Sequence, residues 1–377
     1  MSEKILFLYS SPNGGHKECA NSVRKVIQQN HPSIQTYSID TISYFYPLLG
    51  SLIAKTYLEV LRYTPQIWNY LYDNPDIEEM SREIRQLFNL FNAQKLKSFL
   101  KEFQPSAIVC THAIPCGTLA QQKKKGNISL PLIAIITDFA VHSYWIYPEV
   151  DLYIVANQES VKILTNRGIL PSRIKVCGIP IDPDFSKNIK STEARKKLGL
   201  DPEKFTVLIM GGSHGHGPLL KIVRELISMR SDIQLIVVAG LNKDIEMELT
   251  EMAVEGSLLV FGYTRMVSLL MDAADILITK PGGITSSESL VKGLPLIIID
   301  PIPGQEERNT QYLVESGAAI QIKNISELKD TVRKFRKEPE KILKLKENAL
   351  KIAHPEAAEE VTRMILELVC DKILPNG

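Results

Sequence analysis

"ILITKPGGITSSESLVKGLPLIIIDPIPGQEERN", residues 276–309, holds two apolar runs, Ile276 to Thr279 and Leu296 to Ile299, separated by a Gly-Gly turn and a segment with helical spacing. Neither run alternates polar with apolar residues. Each therefore reads as a strand buried on both faces, the mark of a parallel sheet covered by helices. Strand, tight turn, helix and second strand in that order make one βαβ unit.

The same signature recurs outward from this stretch. Apolar runs at Ile5 to Leu8, Ala107 to Cys110, Leu132 to Ile136, Leu152 to Val155, Thr206 to Met210 and Gln234 to Val238 alternate with helix-like segments. The fold class this predicts is α/β, built as two Rossmann-like doubly wound domains, and a length of 377 residues suits two domains. Two domains leave room for a central cleft. A Pro-, Asp- and Lys-rich interruption at about 180–203 reads as the linker. The expected domains are 1–185 and 200–355, with 356–377 as a closing helix.

Composition narrows the function classes. Lys+Arg at 44 against Asp+Glu at 43 leaves a net charge of +1, so no global field draws nucleic acid. Five cysteines without a Cys-x-x-Cys pair point to a reducing compartment. Neither a secretory leader nor an apolar run of spanning length is visible, so a cytoplasmic protein is expected. Residues 41–74, "TISYFYPLLGSLIAKTYLEVLRYTPQIWNYLYDN", are dense in Tyr, Phe, Trp and Leu. Such a stretch suits shallow insertion at a bilayer surface or an ordinary helical excursion, and both readings stay open.

Chemistry-bearing residues collect just past the strands. In "YSSPNGGHKECA", residues 9–20, Gly14 and Gly15 permit close approach by a ligand, and His16 stands at the mouth of a helix. There the positive end of the helix dipole would keep the imidazole neutral and usable as a general base. The alternative is a loop histidine bonded within its own turn. In "IITDFAVHSYWIYPEVDLYIVAN", residues 135–157, Asp138 and His142 form either a proton-handling pair or a buried ion pair, and Trp145 could stack on a sugar or acyl chain.

The second half repeats the design. "TVLIMGGSHGHGPLLKIVREL", residues 206–226, reads as a phosphate cradle around Gly212 and Ser213. Its Gly211-Gly212-Ser213-His214-Gly215 also satisfies G-x-S-x-G, so a serine hydrolase with Asp300 and His354 is a rival. His214 and His216 stand as His-x-His, but no matched carboxylate or cysteine is nearby to complete a metal site. In the opening stretch, Gly282 and Gly283 suit a diphosphate at a helix N-terminus. Glu288 is either the carboxylate of a Thr285-x-x-Glu288 capping box or an acceptor for two ribose hydroxyls. Gln305 and Glu306 offer the donors and acceptors that sugar recognition needs.

"NGGH" at 13–16, "TDFAVHSYW" at 137–145, "GIPIDPDF" at 178–185, "GGSHGHG" at 211–217, "FGYTRM" at 261–266, "TKPGGITSSESL" at 279–290 and "IPGQEERN" at 302–309, taken in order, resemble one family. It is the GT-B glycosyltransferase group that includes monogalactosyldiacylglycerol synthase and processive diacylglycerol β-glucosyltransferase. The resemblance implies an N-terminal acceptor domain on which the last helix packs back, a C-terminal donor domain and a UDP-sugar in the cleft. It implies an inverting transfer of glucose or galactose to a lipid, 1,2-diacylglycerol above all, at the inner face of the cell membrane, with residues 41–74 meeting the bilayer. His16 would be the base, and Gly14, Gly15, Asp138, His142 and Trp145 would line the acceptor side. Gly212, Ser213, Gly282, Gly283 and Thr285 would hold the diphosphate, Glu288 the ribose, Gly262 and Tyr263 the uracil edge, and Gln305 and Glu306 the sugar. No metal or other cofactor is expected. A regulator that binds UDP-sugar without turnover is a third reading.

Overall fold

The computed structural model describes residues 3–10, 14–45, 95–215, 217–253 and 256–370. Most of the aromatic stretch 41–74, from residue 46 onward, lies outside the described residues, as do Asn13 and His216. The chain divides into two compact units, Met1–Asp182 with Pro303–Gln305 and Glu356–Gly377, and Pro183–Ile302 with Glu306–Pro355.

In the first unit, β1 (Lys4–Tyr9), β2 (Gln35–Asp40), β3 (Ala107–Cys110), β4 (Leu132–Ile135), β5 (Leu152–Val155) and β6 (Ile174–Val176) form one sheet in the order β2-β1-β3-β4-β5-β6. Every pairing is parallel, with Phe7 lying between Ser38 and Val109. The strand order reverses between β1 and β3, which opens a crevice at their carboxyl ends. The helix Gly15–Asn30 follows β1 and buries Cys19, Ala20, Val23, Val26 and Ile27, a spacing that sets one apolar stripe on the sheet. Pro32 prevents its continuation. The last helix, Ala357–Cys370, belongs to this unit and lies on Gly15–Asn30, burying Val361, Ile365 and Val369 at i, i+4 and i+8.

The second unit holds β7 (Phe205–Met210), β8 (Ile233–Val238), β9 (Leu258–Phe261), β10 (Ile276–Thr279), β11 (Leu296–Ile299) and β12 (Ala319–Ile322), in the order β12-β11-β10-β7-β8-β9. Numbered within the unit this is 3-2-1-4-5-6, the dinucleotide-binding order, reversing between β7 and β10. The central strands are sealed on both faces: Val207, Leu208, Ile209, Ile276, Leu277 and Ile278 have no exposed surface. Burying each such side chain stabilises the fold by about 1.5–3 kcal/mol.

The stretch expected to link the halves packs largely into the second unit, whose boundary falls between Asp182 and Pro183. Its helix Ser191–Lys197 carries Arg195, 5% exposed, whose guanidinium donates to the carbonyls of Ala273 (2.8 Å) and Pro202 (2.9 Å) and to Asp275 (2.7 Å). A buried guanidinium satisfied on all sides fixes that segment to the sheet rather than leaving it as a spacer.

Candidate active site

The crevice of the second unit begins where β7 and β10 end side by side. The Thr279 hydroxyl donates to the Met210 carbonyl at 3.0 Å and ties the two strand ends together. After β7 the chain turns through Gly211–Gly215, with the Gly215 amide donating to the Gly212 carbonyl (3.1 Å) and the Leu241 amide to the Ser213 carbonyl (2.9 Å). Gly215 has φ +63°, and a Cβ there would collide with the Ala239 carbonyl oxygen, so only glycine fits. After β10, the buried Asn309 amide holds the Pro281 carbonyl at 3.1 Å. The helix Gly283–Lys292 then starts on Gly282 with no side chain capping its first amides. A Cβ added at Gly282 or Gly212 would meet no atom within 4 Å. Bare first-turn amides, open space and the helix dipole together suit an anion. Lys280 adds a cation: its Cε is 3.4 Å from where a Gly217 Cβ would be, and its ammonium is 3.8 Å from the Asp300 carboxylate.

Two sequence expectations change here. The helix opens at Gly283 rather than Thr285, so Thr285 is its third residue and Glu288 its sixth. Glu288 is too far along the helix to reach the N-cap amide, and the capping-box reading falls. Thr285 and Glu288 are half-buried and one turn apart on the same side of this helix. The hydrolase reading also falls. A nucleophile elbow runs straight from strand through serine into helix. Here the helix after Ser213 begins only at Leu219, and the Asp300 carboxylate faces Lys280. His214 is half-buried and its pKa is lowered by that burial.

Elsewhere in this unit, Tyr263 is 53% exposed beyond β9. A Cβ on Gly262 would stand 2.5 Å from a carboxylate oxygen of Glu246. Glu246 therefore lies against the "FGYT" backbone, a neighbour that sequence reading missed. The Glu306 carboxylate accepts from the Ile302 amide at 2.7 Å and so braces the loop before its own helix, Gln305–Glu315.

In the first unit, Gly14 is the uncapped N-cap of Gly15–Asn30, so that helix also starts with bare amides. His16 sits in its first turn, within reach of the turns after β3 and β4. Its Nδ1 is 2.7 Å from the Thr111 carbonyl and 2.8 Å from the Thr137 hydroxyl. The Thr111 hydroxyl in turn donates to the His16 carbonyl at 2.7 Å. The ring is not bonded within its own turn, as the alternative reading had it. Its pKa is lowered to about 4, and the cause is burial, whereas the sequence pointed to the helix dipole. His112 meets it edge to face, ring centroids 4.6 Å apart, and its Nδ1 accepts from the Ile114 amide at 3.2 Å. Burial holds the His112 pKa well below its usual value, with His16 and His142 adding to the shift. His112 escaped the sequence reading although it follows β3 as Asp138 follows β4.

Asp138 is 4% exposed and accepts from the side-chain amide of Gln305, which is grouped with this unit. His142 lies 6.1 Å from Trp145, centroid to centroid. Trp145 itself is 1% exposed inside the core, so it anchors the turn and offers no face to a ligand. Tyr153 holds that turn from below: its hydroxyl donates to the carbonyls of Trp145 (2.8 Å) and Tyr147 (2.9 Å) and accepts from the Tyr147 amide (2.8 Å). Among the described residues no group of three or more His, Cys, Asp and Glu side chains is placed to hold a metal.

Residues 16–181 match the family described as monogalactosyldiacylglycerol (MGDG) synthase, and residues 206–361 match the glycosyltransferase family 28 C-terminal domain. A processive diacylglycerol beta-glucosyltransferase of Bacillus mycoides (strain KBAB4) is 30% identical over 368 residues, 96% of this chain and 93% of that protein. This chain belongs to the MGDG synthase and family 28 glycosyltransferases. Solved structures share the fold at low identity. Anabaena HepE in complex with UDP has a TM-score of 0.56 at 15% identity, over 98% of this chain and 100% of that one. The UDP-GlcNAc 2-epimerase of Neisseria meningitidis has a TM-score of 0.61 at 15% identity, over 97% of this chain and 100% of that one. Within this glycosyltransferase family member, the second match spans the reversal between β7 and β10, and the first begins in the helix that follows β1.

Proposed function

We propose that this protein transfers a hexose, glucose or galactose, from a UDP-sugar to 1,2-diacylglycerol with inversion, giving a β-glycolipid. The observation that carries the reading is the second unit's pair of glycine-lined loops, which meet at the reversal of a 3-2-1-4-5-6 sheet and leave a helix N-terminus open to a diphosphate. Membership of the family supports the sugar donor and the lipid acceptor. The relatives' names describe an enzyme, and nothing in the site favours a non-catalytic regulator.

In this reading the first unit is the acceptor domain and the second the donor domain. Gly212, Ser213, Gly282, Gly283 and Thr285 hold the diphosphate, and Glu288, partly exposed one turn further, takes the ribose hydroxyls. Gly262 and Tyr263 take the uracil edge. Gln305 and Glu306 face the sugar, and Gly14, Gly15, Asp138 and His142 border the acceptor. The acceptor hydroxyl loses its proton to His16 as its oxygen bonds to the anomeric carbon. The bond from that carbon to the diphosphate oxygen breaks, and the electron pair leaves with UDP. Preorganised amides at the developing charge are worth several kcal/mol in such a step, about 3–4 for one well-placed donor. The enzyme would work at the inner membrane surface, meeting the bilayer through residues 41–74. Tyr44, 52% exposed in this stretch, meets Phe99 edge to face at 5.4 Å, and Tyr37 meets Phe103 at 4.5 Å. Among the described residues no helix is long and apolar enough to cross a membrane.

The test is incubation with UDP-glucose or UDP-galactose and vesicles containing diacylglycerol, followed by mass spectrometry of the lipids. A hexosyl-diacylglycerol product is expected, with His16→Ala lowering kcat by about 100-fold or more. Tight UDP binding with no glycolipid from either donor would point to the non-catalytic reading instead.

A further inference from the structure

Thr137 lies two residues past β4, 4% exposed, with its hydroxyl 2.8 Å from Nδ1 of His16. Thr111, fully buried at the end of β3, brings its carbonyl oxygen to 2.7 Å from the same nitrogen. A carbonyl oxygen only accepts. The nitrogen facing it must therefore carry the proton, because a lone pair at that distance would meet another lone pair. The hydroxyl of Thr137 supplies a second oxygen to the same N–H. Resting on the reading of His16 as the base, we propose that Thr137, together with the Thr111 carbonyl, fixes His16 as its Nδ1–H tautomer, so that Nε2 is the atom that takes the acceptor's proton. Thr137 is thus a positioning residue.

The arrangement also decides how the charged ring is held. When Nε2 takes a proton from the acceptor hydroxyl, the positive charge spreads over both nitrogens, and Nδ1–H strengthens its bonds to two neutral oxygens. A carboxylate in this place would hold the charge more firmly and raise the resting pKa. Two neutral acceptors leave the ring uncharged beforehand and still receive the imidazolium during transfer. The titratable groups around His16 are His112, edge-on from the turn after β3, and His142, which acts on His112 from the turn after β4. Asp138 follows Thr137 along the chain, and its carboxylate accepts from Gln305. Thr111 adds the last restraint, since its hydroxyl holds the His16 carbonyl while its own carbonyl holds the ring. One residue thus grips both ends of the histidine.

Two measurements decide the proposal. The first is nitrogen NMR of the whole protein carrying 15N-histidine, with His16→Gln to assign the signal. His16 is expected to show a protonated Nδ1 and an unprotonated Nε2 at pH 7, and the opposite tautomer overturns the proposal. The second is kinetics. Thr137→Val, which keeps the shape and removes the second oxygen, is expected to lower kcat about tenfold with KM for the UDP-sugar within about twofold, while Thr137→Ser restores kcat to within about threefold. Unchanged turnover in Thr137→Val overturns the proposal, as does equal loss in the Ser and Val variants. If Thr137→Val does not fold, the wild-type spectrum and the Ser variant give the answer. Full turnover in His16→Gln would remove the base assignment, a separate result, because the tautomer is read without any substrate.

Discussion

His16 sits at a helix start with its ring partly buried, and its pKa, lowered to about 4, has consequences for stability as well as turnover. The unfolded chain binds a proton to this histidine near pH 6.5, whereas the folded chain resists it down to about 4. Stability from this group is therefore fully present above pH 6.5 and is lost as pH falls toward 4. Between pH 7.5 and 5 the loss amounts to about 2 kcal/mol. His112, lowered in the same direction, adds to it. Urea midpoints at the two pH values are expected to fall for wild type and to fall by less for His16→Gln. An equal fall in the variant would show that the ring protonates freely in the folded chain. With His16 as the proposed base, the kcat profile is expected to show no acid limb near pH 6.5.

At the scale of an element, the start of the helix Gly283–Lys292 allows the fold's demand on a glycine to be told apart from a ligand's. Gly282 has φ −65°, a value any residue adopts, and a Cβ there meets nothing within 4 Å. The fold thus places no demand on this glycine beyond its cap, and Gly282→Ala is expected to change stability by no more than about 1 kcal/mol. A methyl group in the cradle would nevertheless crowd a diphosphate against the first amides. UDP affinity, measured by titration calorimetry, is expected to fall about tenfold or more, the loss of one charge-assisted hydrogen bond. Unaltered UDP affinity in a folded Gly282→Ala would remove the diphosphate from this helix.

The same scale shows what the sequence disclosed. All eight apolar runs became strands, and four more strands, β2, β6, β9 and β12, were not read from the sequence, although β9, "LLVF", is itself apolar throughout. Those four are the outer strands of the two described sheets. Strand β2, "QTYSID", has a half-exposed face, and β6 is only three residues, "IKV". In β2 and β6 the sheet edge relaxes the demand for continuous apolar residues and the signal fades, whereas β9 keeps an apolar run at an edge. The position of the candidate site residues was legible for a related reason, since the glycines and His16 proposed for it follow central strands. Glu246 and Thr137 were not, because their importance arises from contacts made across the fold. Trp145 read as a stacking surface until its burial placed it in the core.

At the scale of the whole molecule, the chain completes the second unit and then supplies a last helix to the first. Each unit has a hydrophobic core of its own, one around β3, β4 and β5 and the other around β7, β8 and β10. Ile365 has no exposed surface and lies on the helix face turned to Gly15–Asn30. Truncating it leaves a cavity in the first unit alone, at a cost of about 2–5 kcal/mol. Ile365→Ala is therefore expected to lower the unfolding midpoint of the first unit and to leave that of the second in place, so that a lower-temperature transition assignable to the first unit moves down. With the proposed diphosphate ligands in the second unit, UDP binding is expected to survive above the first transition, whereas glycolipid formation is expected to fail there, where the helix that carries His16 loosens. Calorimetry with and without UDP measures both quantities in one sample. Parallel loss of UDP affinity and first-unit stability would show that the donor site draws on the first unit's core.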